Sequence, residues 1–230
     1  MRQTYLFSPI ILTDINTVWE QFLHLGVPVS FPVRSFISAS GAPSSESASG
    51  MYYIRRGRVR LSSLNISGQE KVMLYMGRGV LFNEIPMLQF SHDYVFTCME
   101  DTETVFLSKK LLTDKFIKEY PPLFLNLLES MSKKSQNFYS QLSALRSFSS
   151  FANVCRTLYS MHLFQRVRGN IVPQLTQQEL AAFLGIHRSS LHKALTRLKE
   201  EGTIGPYSRK HLALLDEKAL YEHALKTEEE

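Results

Sequence analysis

Cysteine is almost missing from this sequence: 230 residues hold two, Cys98 and Cys155. Two thiols cannot build a disulfide framework or a four-thiolate iron–sulfur site, so both are expected to be small core residues under reducing conditions. The seven histidines are scattered, with no cluster at metal-ligand spacing. Catalytic signatures are missing as well: there is no GxSxG, no HExxH, no P-loop and no CxxC pair. That argues against an enzyme. No stretch reaches the roughly 18 uninterrupted apolar residues of a membrane span. The opening MRQTYLFSPIILTDINTVWE shows no signal-peptide cleavage pattern. A cytoplasmic protein with no membrane partner is expected.

What is present is ordinary in amount and uneven in place. Apolar residues make up 44% and charged residues 20%, as in a soluble chain of two modest domains. The formal charge is +5, and it is local. Residues 166–210 hold eight Lys/Arg against three Glu, which equals the whole excess. A polyanion would be met there.

Within that segment, LTQQELAAFLGIHRSSLHKALTRLKEEGTI (175–204) reads as two short helices joined by a tight turn. Thr176 is a good N-cap, and Glu179 sits at capping-box spacing. Leu180, Phe183 and Leu184 recur at helical intervals. Gly185 supplies the left-handed turn residue. A second helix runs from about His187 to Glu201, with Leu191, Ala194, Leu195 and Leu198 on its apolar side. Arg188, Ser189, His192 and Lys193 lie on the other, and Gly202 stops it. This is a helix-turn-helix pattern, whose second helix enters the DNA major groove. An ordinary hairpin with a solvated basic face is the competing reading; the cap, the turn glycine and the grouped polar residues together weigh against it. After Gly202, TIGPYSRKHLALLD gives two short apolar stretches around residues 207–211. It reads as a β-hairpin wing whose basic tip can reach the phosphate backbone.

Upstream, Val18, Trp19, Phe22 and Leu23 suggest a short helix, and Val29–Ile37 an extended stretch that Pro32 confines to an edge. Residues 38–50 are small and polar, a surface loop. Extended segments follow at 51–54, 58–61 (after Gly57), 70–76, 80–82, 94–99 and 104–107, with turns at 65–68 and at Gly77 and Gly79. Short strands so spaced indicate a β-barrel or jelly roll. From about Pro121 to Arg146 the positions Phe124, Leu128, Met131, Ser135, Phe138, Leu142 and Leu145 alternate steps of four and three, a coiled-coil seam in which the polar Ser135 is a weak spot. A helix packed on its own barrel would use a similar stripe. Residues 148–150 break the pattern, and a further helix is expected over 151–165.

Residues 175–216 resemble the winged helix-turn-helix of the Crp/Fnr family of bacterial transcription regulators. GMYYIRRGRVRLSSLNISGQEKVMLYMGRG resembles that family's effector-binding barrel, and the likeness spans about residues 25–226. It implies an α+β fold with a cyclic-nucleotide-binding-like β-barrel of jelly-roll type over 1–120. A dimerisation helix over 121–147 and a winged helix-turn-helix domain over 148–230 complete it. A homodimer on a palindromic double-stranded operator is implied, with half-site centres about 10–10.5 base pairs apart. The family's Arg-Glu-x-x-x-Arg reading pattern falls on Arg188, Ser189 and Lys193. Arg188 can bond guanine O6 and N7, Ser189 is too short to act as the glutamate does, and Lys193 lacks the arginine fork. The expected DNA contacts are Thr176, Gln177, His187, Arg188, Ser189, Ser190, His192, Lys193, Arg197, Arg209 and Lys210. RNA polymerase is a further candidate partner.

The family's cyclic-nucleotide binders use a glycine–glutamate turn and, about ten residues on, an arginine for the phosphate. Here the turn is Phe82-Asn83-Glu84, the arginine position falls at Asp93 or Tyr94, and no Lys or Arg lies between Arg78 and Lys109. Cyclic AMP is therefore not the expected effector, and Glu84 is a relic or a different polar contact. Haem would need an axial ligand from His24, His92 or Cys98, and an isolated histidine is more often structural. The segments YMGRG and DYVFTCMED are similar to the branch sensing halogenated phenolic acids, yet that branch has basic groups this cassette lacks. No cofactor is expected beyond an unidentified small molecule in an apolar, aromatic barrel. Its expected lining is Tyr75, Asn83, Glu84, Tyr94, Phe96 and Phe138. A haem- or redox-sensing regulator and a barrel acting through protein–protein contacts are the alternatives.

Overall fold

The computed structural model describes residues 7–37, 49–64, 70–88, 94–165 and 170–226. Most of the loop expected over 38–50, the 65–68 turn, His92 and Asp93 lie outside the described residues. The chain divides into two compact units, residues 11–135, and residues up to Ile10 together with Gln136 onward.

The first unit opens with β1 (Ile11–Leu12) and a 3-10 helix (Thr17–Leu25), then β2 (Val27–Phe31), β3 (Phe36–Ile37) and β4 (Gly50–Arg56). β5 (Val59–Leu64), β6 (Glu70–Met76), β7 (Leu81–Phe82), α1 (Glu84–Met87), β8 (Tyr94–Cys98) and β9 (Thr102–Ser108) follow. The helical end comprises α2 (Lys109–Leu111), a π turn (Leu112–Phe116), α3 (Ile117–Glu119) and the start of α4 (Pro121–Ser147). One sheet has the order β1-β6-β5-β8-β3, the other β2-β9-β4-β7. β1 pairs parallel to β6, Ile11 opposite Tyr75, a strand too short for the sequence pattern to show. Pro28 sits in β2, which is an edge strand, where the missing donor costs no ladder bond. The bend between β4 and β5 requires Gly57: its φ is +96°, and a Cβ there would lie 2.7 Å from the Thr102 Cα.

Side chains alternate across β4 and β9, so the four-stranded sheet is used on both faces. Tyr52 and Phe106 (ring centroids 5.0 Å apart) point between the sheets, where Phe82 meets Phe96 of the other sheet at 5.0 Å. Met51, Tyr53, Val105 and Leu107 point the other way, into a core with Trp19, Phe116 and Leu123. Fully burying one such large side chain contributes roughly 1.5–3 kcal/mol. A buried polar network ties α4 to this core. Asn16 Oδ1 accepts from the Leu81 amide (2.9 Å) and Ser130 Oγ (3.1 Å), while Asn126 Oδ1 accepts from Asn16 Nδ2 (2.9 Å) and Trp19 Nε1 (3.0 Å).

The second unit contains the rest of α4, then α5 (Ser150–Gln165), β10 (Asn170–Ile171), α6 (Gln177–Leu184), α7 (Arg188–Glu200), β11 (Leu212–Ala213) and α8 (Glu217–Leu225). Leu158, Leu180, Leu191, Leu198, Leu212 and Leu220 are buried in its core. Cys98 in the first unit and Cys155 here are free buried thiols, and burial pushes the Cys155 thiol up to about 12. The α+β expectation of barrel, long helix and winged helix-turn-helix holds. The wing departs from a plain hairpin: Ile204 bridges Leu214, and β11 pairs on its other side with β10, Ile171 opposite Leu212. Strands of two residues are below what alternation can reveal. No helix among the described residues is long and apolar enough to cross a membrane.

Candidate nucleic-acid interface and effector barrel

The helix-turn-helix forms as its local chemistry dictates. Glu179 N donates to Thr176 Oγ1 (3.2 Å) and Thr176 N to Glu179 Oε2 (2.6 Å), the reciprocal pair of a capping box. Gly185 takes φ +70° at the turn. His187 is the N-cap residue of α7, whose Leu191, Ala194, Leu195 and Leu198 are buried. Arg188, Ser189, His192 and Lys193 are exposed together on its first turns, with Ser190 half-buried beside them. A helix with one apolar face held down and a basic N-terminal face open to solvent can be laid in a DNA groove.

The wing tip is not a free arm. The Gln174 amide donates to Arg209 O (2.8 Å), Arg209 Nε donates back to Gln174 O (3.0 Å), and Tyr207 Oη donates to Leu175 O (2.9 Å). These bonds fix the exposed Arg209 and Lys210 beside the start of α6, where Thr176 and Gln177 sit. One expected contact is differently employed. Arg197 Nε donates to Glu201 Oε1 (2.8 Å), its guanidinium covers the Phe151 ring at 4.1 Å, and His223 Nε2 meets the same glutamate at 2.9 Å. The Arg197 hydrogen bond holds the Glu201 carboxyl below its ordinary range.

Along α4 the buried positions are Leu123, Ser130, Lys134 and Asn137. A neighbouring face carries the expected seam: Phe124 (45%), Leu128 (46%) and Leu142 (60%) are exposed, as is Ser135, while Met131 and Phe138 are half-buried. The side chain of Leu145 lies outside the described residues. The stripe is therefore distinct from the buried face of α4.

In the barrel, Asn83 stands where the family's turn has glycine, and its φ of +79° explains the tolerance, since asparagine enters the left-handed region more readily than most residues. Asn83 Nδ2 donates to Gly50 O (2.8 Å). Glu84 is no relic. It is buried and forms an ion pair with Lys134 Nζ, which also donates to Leu81 O (2.6 Å). The cation that the 79–108 cassette lacks thus comes from α4, fifty residues on, beyond the reach of a local motif. Tyr94 stacks edge-on to Phe96 (5.6 Å), and burial, with the Glu84 charge, pushes its phenol up to about 12. Tyr75 is fully buried, and Phe138 lies past the unit boundary on α4. Of the haem-ligand candidates, His24 is exposed, with Nδ1 3.0 Å from Gln21 O, and Cys98 is buried. Among the described residues no group of three His, Cys, Asp or Glu is placed to hold a metal ion.

Comparison with known proteins matches residues 43–119 to the cyclic nucleotide-binding domain and residues 153–223 to the Crp-like helix-turn-helix domain, together well over half the chain. The chain belongs to the Crp/Fnr family. That family is one of transcription regulators rather than enzymes. The cyclic AMP receptor protein of Thermus thermophilus is 29% identical over 174 residues, 73% of this chain and 78% of the relative. Among solved structures, CooA from Carboxydothermus hydrogenoformans aligns with a TM-score of 0.76 at 16% identity, covering 93% of this chain and 100% of that one. CprK complexed with OCPA aligns with a TM-score of 0.75 at 19% identity, covering 94% and 98%. At such identities the two structures speak for the shared Crp/Fnr fold alone.

Proposed function

We propose that this Crp/Fnr regulator is a homodimer that binds a palindromic operator and responds to a small molecule other than cyclic AMP. The reading rests on α7, whose exposed basic N-terminal face is carried by a capped helix-turn-helix. Arg188 makes the bidentate guanine contact, with Ser189, Ser190, His192 and Lys193 around it and His187 at the helix entry. Thr176, Gln177, Arg209 and Lys210 hold the phosphate backbone. Arg197 is a weaker member of this set, because its guanidinium also bonds Glu201 and covers the Phe151 ring. The exposed stripe from Phe124 through Leu142 supports pairing of two α4 helices over 121–147, between a barrel over 1–120 and a DNA-binding domain over 148–230. As a regulator of the chromosome, such a protein works in the cytoplasm, and RNA polymerase is the partner through which it would act.

The effector reading rests on Glu84. In a cyclic-nucleotide site that carboxylate is open to a ribose; here it is buried and paired with Lys134. The relative named for cyclic AMP therefore does not bring that ligand to this chain. The rings of Tyr52, Phe82, Tyr94 and Phe96 favour a compact aromatic or apolar molecule. Micromolar cyclic AMP should leave both the melting temperature and operator binding unchanged, because a ligand stabilises only the state it binds. A concentration-dependent melting shift at that level would overturn the effector assignment.

A further inference from the structure

A concave feature lies in the first unit, beside the 3-10 helix, and shares no lining residue with the barrel site. It is a cleft of about 810 Å³, within the range of small-molecule sites. Its apolar floor is formed by Leu23 and Pro28, with the core residue Val105 buried. Three guanidiniums reach it from two places: Arg55 and Arg56 end β4, and Arg78 sits in the turn after β6. Glu20 is the single carboxylate of the lining.

The arginines differ in how they are held. Tyr53, buried in the core, donates from Oη to Glu20 Oε1 (3.1 Å), and the same oxygen accepts from Arg78 Nη2 (3.1 Å). A rigid phenol thus aims a carboxylate, and the carboxylate aims a guanidinium. Arg78 and Tyr53 hold the Glu20 carboxyl below its ordinary range, so it stays charged in this role. Arg56 reaches Glu103 at 3.6 Å, a loose contact between exposed side chains that competes weakly with a ligand. Guanidiniums that line one cleft together with apolar side chains match a compact dianion with an attached apolar body.

We propose that this cleft is a second ligand site of the protein, one that takes an organic phosphate monoester. Arg55 and Arg78 bond the phosphate oxygens, and the organic part lies on Leu23 and Pro28.

Phenyl phosphate and inorganic phosphate are the probes, titrated into the full-length protein by calorimetry at matched ionic strength. Phenyl phosphate should bind saturably at one site per chain and more tightly than inorganic phosphate, because only it covers the floor. The Arg55→Glu/Arg78→Gln variant should weaken it about tenfold or more while keeping the wild-type circular dichroism and operator binding. The Arg188→Ala/Arg209→Ala variant, which removes basic groups from the DNA face, should leave it unchanged. Should the cleft variant fold poorly, Pro28→Ser, at an exposed position of the edge strand β2, should still reduce the advantage of phenyl over inorganic phosphate. Non-saturating binding, equal affinity for the two probes, or loss in the DNA-face variant with retention in the cleft variant would overturn the assignment. None of these results depends on operator recognition being right.

Discussion

The two ends of this protein treat their charges in opposite ways. On α7 the cations Arg188 and Lys193 stand in solvent on a helix whose other face is sealed into a core. In the barrel, the one buried carboxylate at the effector turn already has its cation, and the aromatic rings already have one another. A DNA reader must keep its donors unspent for base edges. A sensor can close on itself and answer only to a ligand that outcompetes its internal partners.

The largest effects should come from breaking what the barrel has satisfied. Lys134→Ala leaves Glu84 buried and unpaired, a loss of about 3–5 kcal/mol for a buried pair broken on one side. The double variant Lys134→Met/Glu84→Gln should recover most of it in urea melts. If the single variant is as stable as wild type, the pair does not hold the turn. Leu142→Glu comes next, since it places two charges in a two-fold seam. Sedimentation should show monomer and gel shifts a collapse of operator binding; a variant that remains dimeric refutes the seam. At the DNA face, Arg188→Ala should cost roughly 1–3 kcal/mol of operator affinity while leaving the melting temperature alone. Tyr207→Phe removes the bond to Leu175 O and should lower stability by about 0.5–1.5 kcal/mol. Smallest is Arg209→Ala: it should weaken all duplexes alike and lower the slope of log affinity against log salt by about one unit.

The helix-turn-helix was legible because its determinants are local: Thr176 with Glu179, Gly185, and the periodic leucines each act within a few residues. The long helix α4 was legible for the same reason, as a period. What escaped the sequence is set by distance along the chain. Lys134 meets Glu84 from fifty residues away, and nothing near either residue announces the other. β1 and β10, two residues each, exist only through their partners β6 and β11. The Arg197–Glu201 pair has an i, i+4 spacing that the sequence does show, whereas the Phe151 ring under the same guanidinium comes from the packing of α5 on α7. α8 itself, capped by Asp216 and buried through Leu220 and Ala224, carried a readable but short signal.

The central claim is that the start of α7 reads bases, and selection from a pool of random duplexes tests it most directly. Wild-type protein should enrich a palindrome with one strongly preferred guanine per half-site, and Arg188→Ala should enrich the same palindrome with that preference relaxed. Enrichment of an unchanged motif by Arg188→Ala would show that α7 is not the reading helix.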